Sequence, residues 1–259
     1  MKNLLFRFIL ISVFLLAVSS CKKDEAIVDP KPTDSIPVST AQLASFKIKT
    51  VSGSTDVDYT NTFTDATGRQ FSVSDFEYYL SEIVFIRHDN TEIAVNDTVI
   101  LGDVNEKKFP LAIIPVGNYK GFKMIFGLDS AANHGDPTIY SEGHPLSLQN
   151  NAMHWGWNFG YIFMKMEGLA DTTAAANGVV NKGYIYHIGS DKMKRELDYS
   201  NSPFTVTSGN NKILNLKIDL QQLLNSVDFT TDLFTMTPSN INLSSKLADN
   251  WQGAITVEP

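Results

Sequence analysis

Cysteine is almost absent from this 259-residue chain, in which Cys21 is the single example. An intrachain disulfide is therefore impossible, and the paired-cysteine motifs of structural zinc sites are excluded. Basic residues are outnumbered, with 21 Lys and Arg against 28 Asp and Glu, so the formal net charge is −7. Because nucleic-acid-binding proteins normally carry a basic surface, we expect no nucleic-acid partner. Glycine-rich phosphate loops and nucleophile elbows are also missing from the sequence.

Long apolar runs are scarce, and the one at the N-terminus is too short for a normal transmembrane helix. It covers residues 9–18 and follows Lys2 and Arg7, the charge pattern of a secretory signal peptide. Val18-Ser19-Ser20-Cys21 then resembles a bacterial lipobox, in which the cysteine becomes the lipidated first residue of the mature protein. We therefore expect a lipoprotein signal peptide over residues 1–20 and a lipid anchor on Cys21. The alternative is an ordinary secretory signal followed by an incidental cysteine.

The segment that follows the anchor has the composition of a flexible tether. Residues 21–43 contain three prolines among Asp, Ser and Thr, and they show no sustained apolar period. The charged residues Lys22-Lys23-Asp24-Glu25 resemble the export signal of surface lipoproteins of Bacteroidota. These features predict a protein that is lipid-anchored in the outer membrane, either exposed at the cell surface or facing the periplasm.

Residues 44–259 are predicted to form one folded domain. Apolar residues make up 43% of the chain and aromatic residues 11%, which is enough for a sizeable core. Apolar and polar residues alternate most clearly over residues 71–86, where a turn or bulge is expected near Asp75. Helical patterns are confined to residues 220–226 and 243–251. We predict an all-β fold, an antiparallel β-sandwich of about nine strands with one or two short helices.

The most informative stretch runs from Met153 to Gly168. At period two, one face carries five aromatic residues, Trp155, Trp157, Phe159, Tyr161 and Phe163. This pattern predicts a long half-buried strand whose aromatic face belongs to the core. Glycines on the opposite face leave room for a close approach by another backbone or a ligand. A following strand over residues 183–189 should turn His187 outward if its tyrosines pack inward.

Histidine supplies most of the candidate metal donors, because no free thiol remains once Cys21 is lipidated. The five histidines are His88, His134, His144, His154 and His187. Imidazole suits copper or zinc, and an added methionine thioether shifts the preference toward cuprous ion. His88 and His144 fit turns, whereas sequence spacing alone does not bring the other three together. Taken singly, each is more often an ordinary hydrogen-bonded histidine than a metal ligand.

Other chemistries have weaker support in the sequence. Strand alternation should spread Asp75, Glu77 and Glu82 over both faces, which argues against an acid–base pair. The loop over residues 129–148 contains carboxylates that lack the dense spacing of a calcium loop. Its length of about 20 residues is unusual for a connection and favours a functional or mobile segment.

Several motifs occur together in the domain. They are Asn133-His134, Met153-x-Trp155-x-Trp157-x-x-Gly160-Tyr161, Lys165-x-Glu167-Gly168, Tyr186-His187-Ile188-Gly189-Ser190, the strand at residues 76–86 and Ala248-Asp249-Asn250-Trp251. This combination resembles the MbnP-like copper-binding domain family, over residues 43–257. The family includes methanobactin-associated periplasmic proteins of methanotrophs and many lipoproteins of Bacteroidota.

The resemblance implies a secreted β-sandwich that binds copper through histidines. His134 matches the loop histidine of the family and His187 the strand histidine, so both are implied ligands. His154 stands where the family often has another aromatic residue, which makes it the less secure third candidate. In some members a tryptophan is oxidised to kynurenine by a partner di-haem enzyme, and the product contributes to the copper site. Here the candidates for that modification are Trp155 and Trp157.

The resulting hypothesis is a copper-binding lipoprotein that acquires or handles metal and is not an enzyme. Its expected partners are a copper ion, the membrane through the lipid anchor, and a di-haem oxidising enzyme. Two alternatives stay open. One is a metal-free binding module that recognises a glycan or a protein through the long loop. The other is a copper-dependent oxidative enzyme, for which the sequence shows no substrate-pocket signature.

Overall fold

Most of the domain consists of two β-sheets. The structure is a computed structural model that describes residues 40–148, 152–156 and 159–259. The predicted signal peptide, Cys21, nearly all of the predicted tether and Trp157 lie outside these residues. The first strand begins at Ala41, slightly upstream of the predicted domain start at residue 44.

The described residues form fifteen strands and four α-helices. The strands are β1 (Ala41–Ser52), β2 (Thr55–Asp56), β3 (Thr62–Thr64), β4 (Gln70–Arg87), β5 (Glu92–Ala94), β6 (Ile100–Asp103), β7 (Lys107–Pro115), β8 (Gly117–Phe126), β9 (Ile162–Ala170), β10 (Lys182–Gly189), β11 (Arg195–Tyr199), β12 (Phe204–Val206), β13 (Lys212–Asp219), β14 (Phe234–Met236) and β15 (Ile255–Glu258). The helices are α1 (Ser130–Asn133), α2 (Leu220–Leu223), α3 (Ile241–Asp249) and α4 (Trp251–Ala254), and 3₁₀ turns lie at Pro137–Ile139 and Asp191–Met193.

The smaller sheet has five strands in the order β15-β13-β1-β2, and β7 also pairs with β1. Strands β1 and β13 are parallel, with Ala44 opposite Lys212 and Val51 opposite Asp219. The other pairings of this sheet are antiparallel. Alternation along β1 turns Phe46 and Ile48 into the core.

The larger sheet has ten strands, six of which follow the order β11-β8-β4-β9-β10-β14. The other four are β12, which pairs with β8, and β3, β5 and β6, which pair with β4. Strand β4 organises it, because its 18 residues pair with β3, β5, β6, β8 and β9. The register of β4 shifts between Val73 and Asp75 and again between Ser81 and Val84. The first shift confirms the bulge expected near Asp75. Such bulges bend a strand and redirect the side chains that follow.

Aromatic side chains join the two sheets. Phe46 of the smaller sheet packs against Phe85 and Phe122 of the larger one, with ring centroids 6.3 and 4.9 Å apart. Trp251 from α4 is fully buried and stacks on Phe126, with 4.6 Å between ring centroids. The core therefore lies between the sheets and continues under the C-terminal helices.

The predicted all-β fold is confirmed, with two differences of detail. There are more strands than expected, because β2, β3 and β5 have only two or three residues and are too short to show alternation. Two strand pairs, β1-β13 and β10-β14, are parallel. The two expected helical regions appear as α2 and as the pair α3 and α4. Within the described ranges, no helix is both long and apolar enough to span a membrane.

The predicted long aromatic strand is wrong in its first half. Regular strand begins only with β9, and upstream of it His154 and Tyr161 form an isolated bridge. Between them Gly156 and Gly160 have φ angles of +108° and +73°. These left-handed conformations, which glycine adopts without steric cost, close a tight loop where the alternation predicted an extended chain.

The five aromatic residues consequently do not share one core face. Tyr161 and Phe163 are buried as predicted, whereas Phe159 is 60% exposed at the loop. Trp155 is half-buried beside it, and Trp157 lies outside the described residues. Trp155 and Phe159 therefore place aromatic side chains at the surface of the domain.

Candidate metal-binding site

The outer face of the larger sheet carries His187. The inner face of β9 and β10 is fully occupied by core side chains, namely Met164, Met166, Tyr184, Tyr186 and Ile188. Alternation along β10 therefore places His187 on the outer face, as predicted. Lys165 and Glu167 of β9 share this face. Met164 and Met166 of β9 are core residues.

His187 is held by a carboxylate on the adjacent strand. Its Nε2 lies 2.7 Å from Oε1 of Glu167, and its side chain is only 12% exposed. Because an ionised carboxylate only accepts hydrogen bonds, Nε2 carries the proton in this pair and Nδ1 keeps its lone pair. Metal-binding histidines are usually oriented in this way, with the second ring nitrogen donating to a carboxylate or carbonyl. His187 is thus prepared to offer Nδ1 to a metal.

A buried lysine balances the other carboxylates of this face. Lys165 stands opposite His187 in β9, and its Nζ lies 2.9 Å from Asp75 and 2.6 Å from Glu77. Burial lowers the pKa of Lys165, but hydrogen bonds and charges from Glu77 and Asp75 outweigh this, and its pKa is raised. The two carboxylates are therefore counter-ions of Lys165. Glu167 remains as the partner of His187.

Met236 completes the surroundings of His187. It stands directly opposite His187 in the parallel pair formed by β10 and β14. Paired residues of neighbouring strands lie about 4.8 Å apart and point to the same face. Met236 also lines a pocket of about 430 Å³ together with Trp155 and Phe159. The half-buried Met236 thus adjoins His187 in the sheet and also borders the pocket that Trp155 and Phe159 line.

The ring of Trp155 packs against the end of β10, where Gly189 leaves room for it. A Cβ atom at Gly189 would lie 2.6 Å from Cζ3 of Trp155 and 2.5 Å from the carbonyl oxygen of Tyr161. Only glycine permits both approaches. Gly189 follows His187 by two residues, at the point where the register with β9 shifts. The indole of Trp155 therefore packs on the end of β10, close in sequence to the histidine.

His134 lies after α1 and has its own carboxylate partner. Its Nε2 is 3.2 Å from Oδ1 of Asp191, and Nδ2 of Asn133 donates to the same oxygen at 2.8 Å. Asn133 is fully buried, and its Oδ1 accepts the backbone N–H of Tyr161 at 2.8 Å. As in His187, the carboxylate beside Nε2 favours a proton on Nε2, which leaves the lone pair on Nδ1. The His134 side chain is 45% exposed, so it is more accessible to solvent than that of His187.

Asp191 is kept ionised by the groups around it. Partial burial raises its pKa, but hydrogen bonds from Ser130 and Asn133 and the contact with His134 outweigh this and hold the pKa of Asp191 below its ordinary value. An ionised Asp191 is the form that orients both Asn133 and His134. The carboxylate therefore links α1 to the turn that follows β10.

His154 and His144 have the opposite arrangement. Nδ1 of His154 accepts the N–H of Gly156 at 3.0 Å, and Nδ1 of His144 accepts the N–H of Leu146 at 3.1 Å. Burial lowers the pKa of both rings, which favours the neutral form with its proton on Nε2. Neither ring then has a lone pair left for a metal. The backbone contact of His154 disfavours its predicted role as a third ligand.

The three predicted histidine ligands do not form one cluster with carboxylates. In the part of the chain that the structure describes, no group of three or more His, Cys, Asp and Glu side chains is placed to hold a metal ion. The donors that share the outer face are instead the imidazole of His187 and the thioether of Met236, beside the indole of Trp155. Imidazole with thioether is the donor chemistry that soft Cu(I) prefers. His187 and Met236 are therefore residues of the types that could hold a cuprous ion.

Comparison with known proteins identifies the family of this chain. Residues 41–243 match the sequence model of the family described as MbnP. The chain belongs to the MbnP family. The resemblance predicted from the motifs is thereby confirmed. A comparison with curated proteins gives no match.

Among solved structures, MbnP from Methylosinus trichosporium has the same fold. The two chains are 15% identical, with a TM-score of 0.50, and the match covers 73% of this chain and 80% of the other. At this level of identity the similarity concerns the fold. The roles of individual side chains have to be argued from this chain itself.

The MbnP-family motifs of this chain meet at the end of β10. Four of the motif residues are in direct contact there, namely Asn133, Trp155, Tyr161 and Gly189. Sequence reasoning missed the partners of the histidines, Glu167 and Asp191, and it missed Met236. Glu167 lies in a quoted motif, but its contact with His187 depends on the register of β9 and β10. Met236 belongs to a strand of three residues, which is too short to show a pattern.

Proposed function

We propose that this protein binds a cuprous ion at the outer face of the larger sheet and serves in copper acquisition or handling, without catalysing a reaction. The observation that carries the proposal is the pairing of His187 with Met236 across β10 and β14. The hydrogen bond from His187 to Glu167 supports it, because it orients the imidazole as in metal sites. Membership of the MbnP family supports a copper-related role.

The donor set favours Cu(I) over hard divalent ions. Calcium and magnesium need several oxygen ligands, and the carboxylates of Asp75 and Glu77 are already bound to Lys165. Nitrogen and thioether sulfur together prefer the softer ion. The low exposure of His187 also favours a singly charged ion, because the cost of removing an ion from water rises with its charge.

Trp155 is the tryptophan that we assign to this site. Its ring packs on Gly189 and lines the pocket that Met236 shares. An unmodified indole has one N–H donor and no lone pair for a metal. Oxidation to kynurenine by a di-haem partner enzyme would add an aromatic amine and a ketone oxygen at this position. The exposed Phe159 beside it leaves the loop accessible to such a partner.

His134 is assigned a supporting role in the same function. Its imidazole is oriented by Asp191 and is much more exposed than that of His187. An exposed, oriented imidazole suits the capture or release of an ion better than its tight retention. Loss of His134 should therefore weaken copper binding less than loss of His187 does.

The decisive experiment is a cuprous titration of the mature chain from residue 22, under anaerobic conditions and with a competing chelator. We expect one ion per chain. Because an orienting carboxylate typically contributes 10- to 100-fold to metal affinity, Glu167→Gln should weaken binding by about that factor. His187→Ala and Met236→Leu should weaken binding at least as much. His88→Ala, in an exposed turn, is the matched control and should bind like the wild type.

Two outcomes would contradict the proposed site. Unchanged affinity in both His187→Ala and Met236→Leu would overturn the proposed site. Loss of affinity only in His134→Ala would show that copper binds at His134, in the loop over residues 129–148. An intact-mass measurement on the same samples shows whether a tryptophan has been oxidised, so that unmodified and modified protein are compared separately.

The N-terminal sequence supports a membrane-anchored location. We propose that Cys21 carries a lipid and that residues 21–43 tether the domain to the outer membrane, with a coil reach of roughly 25 Å. Cys21→Ser should then move the protein from the membrane fraction to the soluble fraction of fractionated cells. A variant that stays in the membrane fraction would contradict the anchor. The His88→Ala protein serves as the control for the fractionation.

A further inference from the structure

A second cavity, of about 630 Å³, lies beside the second bulge of β4. We call it the loop cleft; it is bounded by residues 81–84, by residues 94–99 and by the loop over residues 129–146. None of the proposed copper ligands lines it. Its volume falls within the range of small-molecule sites, about 300–1,000 Å³. The copper proposal leaves this cavity unexplained.

One wall of the loop cleft is aromatic and is held in place. The rings of Tyr140 and His144 stack nearly parallel, with 4.2 Å between their centroids. The loop that carries them is anchored by two buried tyrosines, because the hydroxyls of Tyr79 and Tyr161 donate to the carbonyl oxygens of residues 145 and 146 at 2.9 and 2.6 Å. A wall fixed in this way is formed before any ligand arrives, which lowers the entropic cost of binding.

The rest of the lining combines an apolar floor with carboxylates. Ile83, Val95 and Leu146 are buried and contribute apolar surface. Glu82, Asp97 and Asp129 also line the cleft, and no lysine or arginine is among its lining residues. The cleft therefore offers negative charge next to apolar and aromatic surface. Such a lining discriminates against anions and has no charged partner for them.

Glu82 and Asp129 both line the cleft. Burial and the charge of Asp129 raise the pKa of Glu82, although Lys194 nearby acts in the opposite direction. Oδ1 of Asp129 accepts the N–H of Ala132 at 2.8 Å as the cap of α1. This bond holds the carboxyl group of Asp129 in place at the start of the helix.

We propose that the loop cleft binds a small organic cation, a primary ammonium group attached to an apolar or aromatic body. The ammonium group donates hydrogen bonds to the carboxyl groups of Glu82 and Asp129. The organic body packs on the apolar floor. The aromatic wall adds the attraction of a ring face for a cation.

The proposal is tested by calorimetric titration of the mature chain with 2-phenylethylamine and with its neutral analogue 2-phenylethanol. We expect saturable binding of the amine, at least about tenfold tighter than that of the alcohol, because only the amine meets the carboxylates. The isosteric variants Glu82→Gln and Asp129→Asn should each weaken amine binding about tenfold and leave alcohol binding unchanged. Asparagine at position 129 can still cap α1. Glu92→Gln, which removes an exposed carboxylate outside the cleft, should bind like the wild type.

Equal affinities for amine and alcohol would overturn the proposal, as would amine binding that survives the double variant Glu82→Gln/Asp129→Asn. A wild type that shows no saturable amine binding would overturn it too. Copper titration of the same variants should be unchanged, so that failure of this proposal and failure of the copper proposal are distinguishable.

Glu82→Gly is the control that separates loss of the carboxylate from misfolding as the cause of lost binding. Glu82 has a φ of +47°, a left-handed conformation that glycine adopts more readily than glutamate. We expect this variant to melt at a higher temperature than the wild type and yet to lose amine binding. Retention of amine binding in Glu82→Gly would contradict the role of the carboxylate.

Discussion

Replacing Trp251 by alanine is expected to lower the free energy of unfolding by about 3–5 kcal/mol, the usual cost of removing a buried tryptophan. The side chain is fully buried and packs against Phe76, Tyr78 and Phe126, with ring centroids 6.5, 5.1 and 4.6 Å away. These contacts join α4 to the larger sheet. Urea unfolding, followed by circular dichroism, measures the change.

Trp251→Phe is the matched control for this prediction. The indole Nε1 of Trp251 is buried and has no hydrogen-bond partner among the residues described. An unsatisfied buried donor costs about 1–3 kcal/mol, and phenylalanine removes it while keeping an aromatic ring. The smaller ring loses packing, so the two effects offset each other and Trp251→Phe should cost less than about 2 kcal/mol. Equal losses for alanine and phenylalanine would show that the packing argument is wrong.

Asn133→Asp is the second change with a large expected effect. The substitution keeps the shape of the side chain but places a buried carboxylate within hydrogen-bond distance of Asp191, where the amide now donates at 2.8 Å. A buried charge without a compensating partner typically costs about 3–5 kcal/mol. We expect a loss of that size at neutral pH, together with weaker copper binding, because Asn133, His134 and Tyr161 are held by the same network.

The pH dependence identifies the cause of this loss. Burial and the charge of Asp191 should raise the folded-state pKa of the carboxyl group introduced by Asn133→Asp above the unfolded value of about 3.9. A raised folded-state pKa for a carboxyl means that lowering the pH favours folding, so the deficit relative to wild type should shrink as the pH falls toward about 4. In wild type the lowered pKa of Asp191 has the opposite effect, and its stabilisation is lost as the pH falls through that value.

Asn133→Ala is the comparison that removes the hydrogen bonds without adding a charge. It leaves the N–H of Tyr161 without its acceptor and should cost about 1–3 kcal/mol. Its deficit should stay nearly constant down to about pH 4, because the part that acts through Asp191 is lost only as the pH falls through the lowered pKa of that carboxyl group. A deficit of Asn133→Asp that stays constant with pH would contradict the electrostatic explanation.

The fold was predictable where segments are long and regular. Strand β4 and the outward orientation of His187 followed from alternation over many residues. The parallel pairing of β1 with β13 was not predictable, because Ala44 meets Lys212 only through the closure of a very long loop. The loop at Gly156 and Gly160 was misjudged for a different reason: alternation also fits a chain that turns back at left-handed glycines.

The candidate site was predictable only in part. His134 and His187 came from motifs, and the chemistry that distinguishes them from His144 and His154 is visible only in their hydrogen bonds. Each of the first two has a carboxylate at Nε2, and each of the others has a backbone N–H at Nδ1. The direction in which an imidazole ring points is set by contacts between distant residues. Sequence spacing contains no record of those contacts.

Strand β1 is the earliest strand of the domain, yet it lies inside the smaller sheet, with β13 on one side and β7 on the other. Pairing with β13 has to wait until most of the chain has left the ribosome. Contacts between such distant segments also form slowly, because a large loop has to close first. Strand β1 can pair with β2 and β7 early, but its other edge stays without β13 during most of synthesis. Such a delay is compatible with the export proposed above, in which a chain passes through a secretion channel before it folds.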